Sequence, residues 1–292
     1  MTALNTPHFE LRPLTGTIGA EVANVDLAGD APDALIDDLR AALDRYLVVA
    51  VRDQRLEPQA FHRVARRLGP FSGNPVHRPL EGFDDVVRFD RPADQPGRAV
   101  GDSWHMDLAW FERPPAMTML YAETVPAVGG DTVFTSLAHA YDALSGRMRE
   151  MLATLTGVHS GKGVFDTNAS LSALSVQPSA RAVDEIETRH PLVCTHAGTG
   201  RKQLFISSVL RRFDGMTEAE SRPIIDFLLA HATQPRFTCR VRWYQGTLMV
   251  WANSRLLHAA IDDYAGEQRV VLRTTVEGVV PQRCQQCQQC QQ

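Results

Sequence analysis

From Phe237 onward the sequence is almost all strand signal. Phe237-Thr-Cys-Arg-Val-Arg-Trp243 turns at Gln245-Gly246 into the apolar run Thr247-Leu-Met-Val-Trp251. Leu256-Leu-His258 follows, and a last strand spans Gln268 to Glu277. Each run is rich in β-branched and aromatic residues, and turn residues bound it. A chain that ends this way must bury several antiparallel strands against one another, which confines it to a sandwich or jelly roll with helices packed outside.

The earlier sequence fits that frame. Residues 9–28 read as two short strands around Gly16 and Gly19. Asp30, Pro32 and the four-residue spacing of Leu35, Leu39, Leu43 and Leu47 predict a helix with Asp30 as N-cap. Tyr46-Leu-Val-Val-Ala-Val51 reads as a buried strand, and Pro58 to Leu68 as a second helix whose Arg63, Arg66 and Arg67 face solvent or ion pairs. A strand near Val86-Val-Arg-Phe89 precedes Pro92-Ala-Asp-Gln-Pro-Gly-Arg98, a candidate lid, and 161–187 is another. Ala116–Ala122 reads as a strand, and Gly129-Gly130 suggests a hairpin returning a strand that carries Thr132. Ser136 caps a helical stretch to Leu144, another runs from Gly146 to about Leu155, and Thr217-Glu-Ala-Glu220 is a capping box opening a helix to His231.

Composition excludes several classes of function. The 292 residues are 44% hydrophobic and 22% charged with a net charge of −4, which offers no electrostatic footprint for nucleic acid. No run of eighteen apolar residues and no basic region followed by an apolar core occurs, so no membrane span or signal peptide is expected and the cytoplasm is the default location. Residues 1–282 read as one domain. The tail from residue 283, with Cys284-Gln-Gln-Cys287-Gln-Gln-Cys290, reads as a low-complexity end rather than half of a metal cluster. Cys194 and Cys239 fall in apolar runs and read as buried thiols.

The chemistry starts at Gly101-Asp-Ser-Trp-His-Met-Asp107. Side chains at i and i+2 of an extended segment share a face, so His105 and Asp107 present a nitrogen and an oxygen together. One further imidazole completes a 2-His-1-carboxylate triad, the usual site of non-haem Fe(II) oxygenases. His258 is the candidate, because Arg269 and Arg273 follow it four residues apart on a strand face. A dicarboxylate co-substrate needs a guanidinium fork and a hydroxyl donor, which Arg269 and Thr132 can supply. His190 and His196 compete as ligands, but each sits by a proline or turn and reads as structural. His139 reads as a surface or packing residue. A zinc hydrolase is disfavoured, since no general-base carboxylate stands at helical spacing beside the histidines.

The ordered set of motifs resembles the TauD/TfdA family of Fe(II)- and 2-oxoglutarate-dependent dioxygenases over nearly the whole chain. It comprises Thr15-Gly-Thr-Ile-Gly-Ala-Glu-Val, Ala65-Arg-Arg-Leu-Gly-Pro70, Trp104-His-Met-Asp107, Gly129-Gly-Asp-Thr132, His190-Pro-Leu-Val with Thr195-His196, Gly200-Arg-Lys202, and His258 with Arg269 and Arg273. Gly97-Arg-Ala-Val-Gly-Asp, Phe237–Trp243 and Asp263-Tyr-Ala-Gly are most similar to the (R)-selective aryloxypropionate (dichlorprop) dioxygenases. The resemblance implies an α+β, mainly β fold: a double-stranded β-helix (jelly roll) core with flanking helices. It implies His105, Asp107 and His258 as iron ligands, Thr132 and Arg269 as holders of 2-oxoglutarate, and Arg273 as anchor for the acidic group of the prime substrate. Asn74 takes the position of a sulfonate-binding histidine with His77 nearby, while Trp110, Phe111 and Phe165 are candidate pocket walls. Where the family has Trp-Asp-Asn-Arg this chain has Trp251-Ala-Asn-Ser-Arg, a departure expected to loosen the order around His258.

The activity so implied hydroxylates a C–H next to a heteroatom of a small acidic substrate (an aryloxyalkanoate, alkylsulfate or sulfonate). C–O or C–S cleavage follows, while 2-oxoglutarate and O₂ yield succinate and CO₂. A homo-oligomer is implied as well. Two rival readings are hydroxylation or desaturation of an amino acid or secondary metabolite at the same site, and a non-catalytic metal-binding jelly-roll protein.

Overall fold

The computed structural model describes residues 6–73, 76–94, 101–162, 164 and 185–283. Among them the first strands, β1 (Glu10–Pro13) and β2 (Ala20–Ala23), are the two short strands expected, and they pair antiparallel. Helix α1 (Asp33–Tyr46) follows and buries Leu35, Ile36, Leu39, Ala42, Leu43 and Tyr46. Its N-cap is Pro32, without a side-chain cap bond, and not Asp30. Asp30 is 97% exposed and pairs instead with Arg63 at 3.6 Å; the fixed φ of Pro32 sets the extended entry that a capping side chain would otherwise favour. Leu47, at φ 63, ends the helix and feeds β3 (Val48–Val51). Helix α2 (Pro58–Leu68) has the bounds read from the sequence, and its three arginines make ion pairs, with Asp30, Asp85 and Asp33.

The remaining strands are β4 (Val87–Arg91), β5 (Met117–Thr124), β6 (Thr132–Ser136), β7 (Thr156–Ser160), β8 (Glu187–Pro191), β9 (Val193–Thr195), β10 (Lys202–Leu204), β11 (Leu210–Phe213), β12 (Thr238–Val241), β13 (Leu248–Trp251), β14 (Leu256–Ala260) and β15 (Arg269–Val276). Helices α3 (Leu137–Asp142) and α4 (Gly146–Thr154) lie between β6 and β7. Helix α5 (Glu218–Ala232) opens with the capping box of Thr217 and Glu220.

A seven-stranded sheet has the order β1-β2-β3-β13-β5-β15-β4, and a second sheet the order β12-β6-β14. The chain therefore alternates between sheets from β12 to β15. Gly129-Gly130 is accordingly not a hairpin. β5 has both edges occupied by β13 and β15, and β6 by β12 and β14, so the two glycines carry the chain from one sheet to the other. Both have positive φ, 86° and 69°, and a Cβ on Gly129 would lie 2.7 Å from the Asp263 carboxylate. Gln245-Gly246 likewise joins strands of different sheets.

Phe134 of β6, Val241 of β12 and Leu256 of β14 share one core with β3, β5, β13 and the two N-terminal helices. A second core gathers Met106, Trp110, Leu137, Phe205, Phe213 and Leu228 beneath α3 and α5. The site forms where the two cores meet, since Met106 dives into the second while its neighbours His105 and Asp107 face the other way.

Candidate metal centre

His105 and His258 are joined through their backbones as an isolated antiparallel bridge, with both N–H···O=C bonds at 2.9 Å. His105 thus adds a fourth row to the edge of the sheet at β14. The two rings lie 4.1 Å apart. One ligand atom from each of His105, Asp107 and His258 falls within 4.8 Å of the others. The His105 and His258 Nε2 atoms are 3.6 and 3.7 Å from Asp107 Oδ1.

Each group is held by its surroundings. His105 Nδ1 lies 2.7 Å from the Ser103 carbonyl; a carbonyl only accepts, so Nδ1 is the donor there and Nε2 is the ring nitrogen turned to Asp107. Burial, the neighbouring His105 and the Arg273 guanidinium push His258 down to about 3 against the pull of Asp107, leaving it a neutral imidazole at ordinary pH. Burial pushes the Asp107 carboxyl up, but Arg273 and the two histidines outweigh it and hold the group well below the usual carboxylate range. Asp107 is divided between its oxygens. Oδ2 accepts from the Thr118 hydroxyl at 2.7 Å and forms an ion pair with Arg273 at 3.0 Å, whereas Oδ1 faces the imidazoles.

The Asp107 backbone is fixed by Asn253, which is fully buried. Its Oδ1 accepts from Asp107 N at 2.9 Å, while Nδ2 donates to the carbonyls of Asp107 and Pro115 at 3.1 and 3.0 Å. Asn253 belongs to the segment expected to be loose around His258. The segment clamps the backbone of the carboxylate ligand, packs Trp251 4.9 Å from the His258 ring and buries Arg255 against Asp44, while the buried His258 Nδ1 has no hydrogen-bond partner among the described residues.

Thr132 and Arg269 meet across Trp243. The indole Nε1 donates to Thr132 Oγ1 at 3.0 Å, and the Arg269 guanidinium sits 5.2 Å from the indole ring centre. Burial pulls Arg269 below its ordinary value, and no carboxylate pairs with it among the described residues. A buried cation without a counter-charge is costly, so this corner suits an anion supplied from outside. His77 packs its ring edge-on 4.8 Å from Phe89, and Arg273 lies over the same ring at 6.0 Å. Burial, then Arg273, pushes His77 down to about 3, with Asp107 opposing.

The other sequence candidates divide. Asn74, Phe165 and most of both suggested lids lie outside the described residues, as do Cys284, Cys287 and Cys290 of the tail. Trp110 is buried in the second core, its ring 5.8 Å from Phe111 and its indole against Gly161. His190 Nε2 bonds the Phe111 carbonyl at 2.9 Å and His196 Nδ1 bonds Thr199 at 3.0 Å, so both serve the backbone and its turns. His139 bonds its capping Ser136 at 3.0 Å. Thr118, Asn253 and Trp243 were given no role from sequence; the Trp251–Arg255 segment pointed at Asn253, and Trp243 closed the quoted Phe237–Trp243 motif.

The donor set of two imidazoles and one carboxylate oxygen on one side fits Fe(II), and the guanidinium beside it, unpaired with any carboxylate among the described residues, fits a keto acid's far carboxylate. Fold and site together define a mononuclear non-haem metal oxygenase. The chain belongs to the family described as taurine catabolism dioxygenase TauD, TfdA family, which matches residues 10–275. It is 31% identical over 284 residues to the alpha-ketoglutarate-dependent sulfate ester dioxygenase of Pseudomonas putida, spanning 96% of this chain and 93% of that one. It is 32% identical over 266 residues to the alpha-ketoglutarate-dependent 2,4-dichlorophenoxyacetate dioxygenase of Cupriavidus pinatubonensis, spanning 84% and 90%. A taurine dioxygenase structure from Burkholderia xenovorans superposes with a TM-score of 0.80 at 31% identity, covering 94% of this chain and 93% of the other. The protein is an Fe(II)-dependent dioxygenase that uses alpha-ketoglutarate, that is, 2-oxoglutarate.

Proposed function

We propose that the protein hydroxylates the C–H next to the oxygen of a small organic anion, an alkyl sulfate ester or an aryloxyalkanoate, and so releases sulfate or a phenol. The paired sheets that alternate strand by strand form the jelly-roll core of the reading. Its metal donors are His105 Nε2, Asp107 Oδ1 and His258 Nε2. Bound iron supplies the oxidising power by activating O₂ as 2-oxoglutarate becomes succinate and CO₂.

The chain's own residues hold, orient and exclude. Arg269 and the Thr132 hydroxyl take the far carboxylate of 2-oxoglutarate. Thr118 and Arg273 occupy Asp107 Oδ2, so that a single carboxylate oxygen, Oδ1, would be left to hold a metal. A guanidinium has five N–H donors, and Arg273 spends one nitrogen on Asp107. The rest of its fork is the anchor for the acidic group of the substrate, with His77 near it across Phe89; Asn74 and Trp110 are the further substrate-binding candidates. Burial of Thr132, His77 and Trp110 excludes water from the site.

One observation carries the reading: two arginines on one face of β15, one bound to the carboxylate ligand and the other lacking a carboxylate among the described residues. The similarity to sulfate ester and aryloxyacetate enzymes supports an acidic substrate with a cleavable C–O bond. The family resemblance supports a homo-oligomer, which light scattering tests. No helix among the described residues is long and apolar enough to cross a membrane.

Oxygen uptake and succinate formation should be followed with Fe(II), 2-oxoglutarate and a panel of alkyl sulfates, sulfonates and aryloxyalkanoates. Stimulated succinate with matching release of sulfate or phenol supports the proposal. Stimulation without release would point to plain hydroxylation, and no stimulation by any member to a binding protein.

A further inference from the structure

We propose that Trp243 is a positioning residue that sets both groups holding the 2-oxoglutarate carboxylate, one with the edge of its ring and the other with its face. The proposal rests on the reading of Thr132 and Arg269 given above.

An indole N–H donates and never accepts. Trp243 Nε1 lies 3.0 Å from Thr132 Oγ1, so one lone pair of that hydroxyl is taken. Its single proton is thereby turned away from the indole. Thr132 is buried, and no acceptor for that proton stands among the described residues. A buried hydroxyl oriented in this way is a donor aimed at an acceptor from outside the chain.

The indole face acts on the other partner. The Arg269 guanidinium lies over the ring, 5.2 Å from its centre, a cation–π contact that holds the cation in place without consuming any of its donors. A carboxylate partner would hold it as well but would neutralise it. The aromatic face holds the cation and leaves its charge available.

Both contacts converge because Trp243 is rigid and buried, only 2% exposed. It follows directly on β12, whose Val241 pairs with Thr132 of β6, while Arg269 begins β15 in the other sheet. Trp243 is thus the link through which the two sheets agree on the spacing of the hydroxyl and the guanidinium.

The test is equilibrium binding of 2-oxoglutarate to the Fe(II)-loaded protein without oxygen, measured by calorimetry, beside a separate Fe(II) titration. Trp243→Phe keeps a ring face and loses the N–H; binding of 2-oxoglutarate should weaken roughly tenfold, as expected for misaligning one hydrogen bond to a charged group. Trp243→Leu removes both contacts and should weaken it further. Fe(II) affinity should be unchanged in both. Arg269→Ala and Thr132→Val are measured alongside to test the underlying reading. If Trp243→Phe and Trp243→Leu bind 2-oxoglutarate as the parent does while Arg269→Ala has lost it, Trp243 is mere packing and the proposal fails. If Arg269→Ala and Thr132→Val also bind normally, the reading beneath it fails as well. Trp243→Tyr serves if the other substitutions do not fold; binding as tight as the parent's would overturn the proposal, and weakened binding with intact Fe(II) affinity would support it.

Discussion

His105 and His258 each donate a backbone N–H to the other's carbonyl at 2.9 Å. Two segments from opposite halves of the chain are therefore zipped at the position where two ligands are needed. The imidazoles owe their 4.1 Å approach to main-chain pairing rather than to any attraction between the rings. That makes the site part of the sheet, formed when β14 forms, and it explains why the supports around it are structural residues.

Asn253 is the first of those supports. Asn253→Ala would strand the Asp107 N–H and the Asp107 and Pro115 carbonyls in the interior. Each unsatisfied buried group costs about 1–3 kcal/mol, so the substitution should lower stability by about 3 kcal/mol and loosen iron together with it. Thermal unfolding with and without Fe(II) checks this; an unchanged midpoint would remove Asn253 from the account.

Thr118 acts on the carboxylate itself. Thr118→Val keeps the shape and deletes the proton given to Asp107 Oδ2 at 2.7 Å. Fe(II) affinity should fall roughly tenfold, the usual scale for an outer partner of a ligand, and Thr118→Ser should restore it. Equal affinity in all three proteins would mean that Arg273 alone orients the carboxylate.

Arg269 and Arg273 should separate kinetically although they share a strand face. Arg269→Ala should raise the KM for 2-oxoglutarate roughly thirtyfold, the loss of about 2 kcal/mol of charge-assisted bonding, with the prime substrate unaffected. Arg273→Ala should raise the KM of the acidic substrate and also lower kcat, because it leaves Asp107 Oδ2 with Thr118 alone. Unchanged affinity for the acidic substrate would end the assignment of Arg273 as its anchor.

Much of this architecture is legible in the sequence, and the failures have a common cause. Helix α2 and the capping box of α5 follow from local rules, namely apolar spacing, an early proline and Thr217 three residues before Glu220. His105-x-Asp107 is also local, since two residues of extended chain share a face. Gly129-Gly130 misled because turn chemistry reports that the chain reverses, not which sheet receives it. Thr118 and Asn253 were silent because their value lies in what they reach across space: a threonine in a strand and an asparagine in a loop look ordinary until Asp107 is beside them.

The two apolar-run thiols behave as expected from their sequence setting, and their titration follows. Burial pushes Cys194 and Cys239 up from 9.0 to about 12. Between those values the unfolded chain releases protons that the folded chain keeps, so stability should fall as pH rises through that window. At about pH 8 both thiols should resist iodoacetamide in the folded protein and react once it is unfolded, because only the thiolate attacks. Mass spectrometry of the labelled peptides reads this out; rapid native labelling of either residue would contradict its burial.

The most direct test is an oxygen-free Fe(II) titration of the parent chain beside His105→Ala, Asp107→Ala and His258→Ala, with folding verified by circular dichroism. The account predicts one Fe(II) bound per chain in the parent and tight binding lost in each folded variant. Parent-like affinity in any one of the three would contradict a site built from all of them.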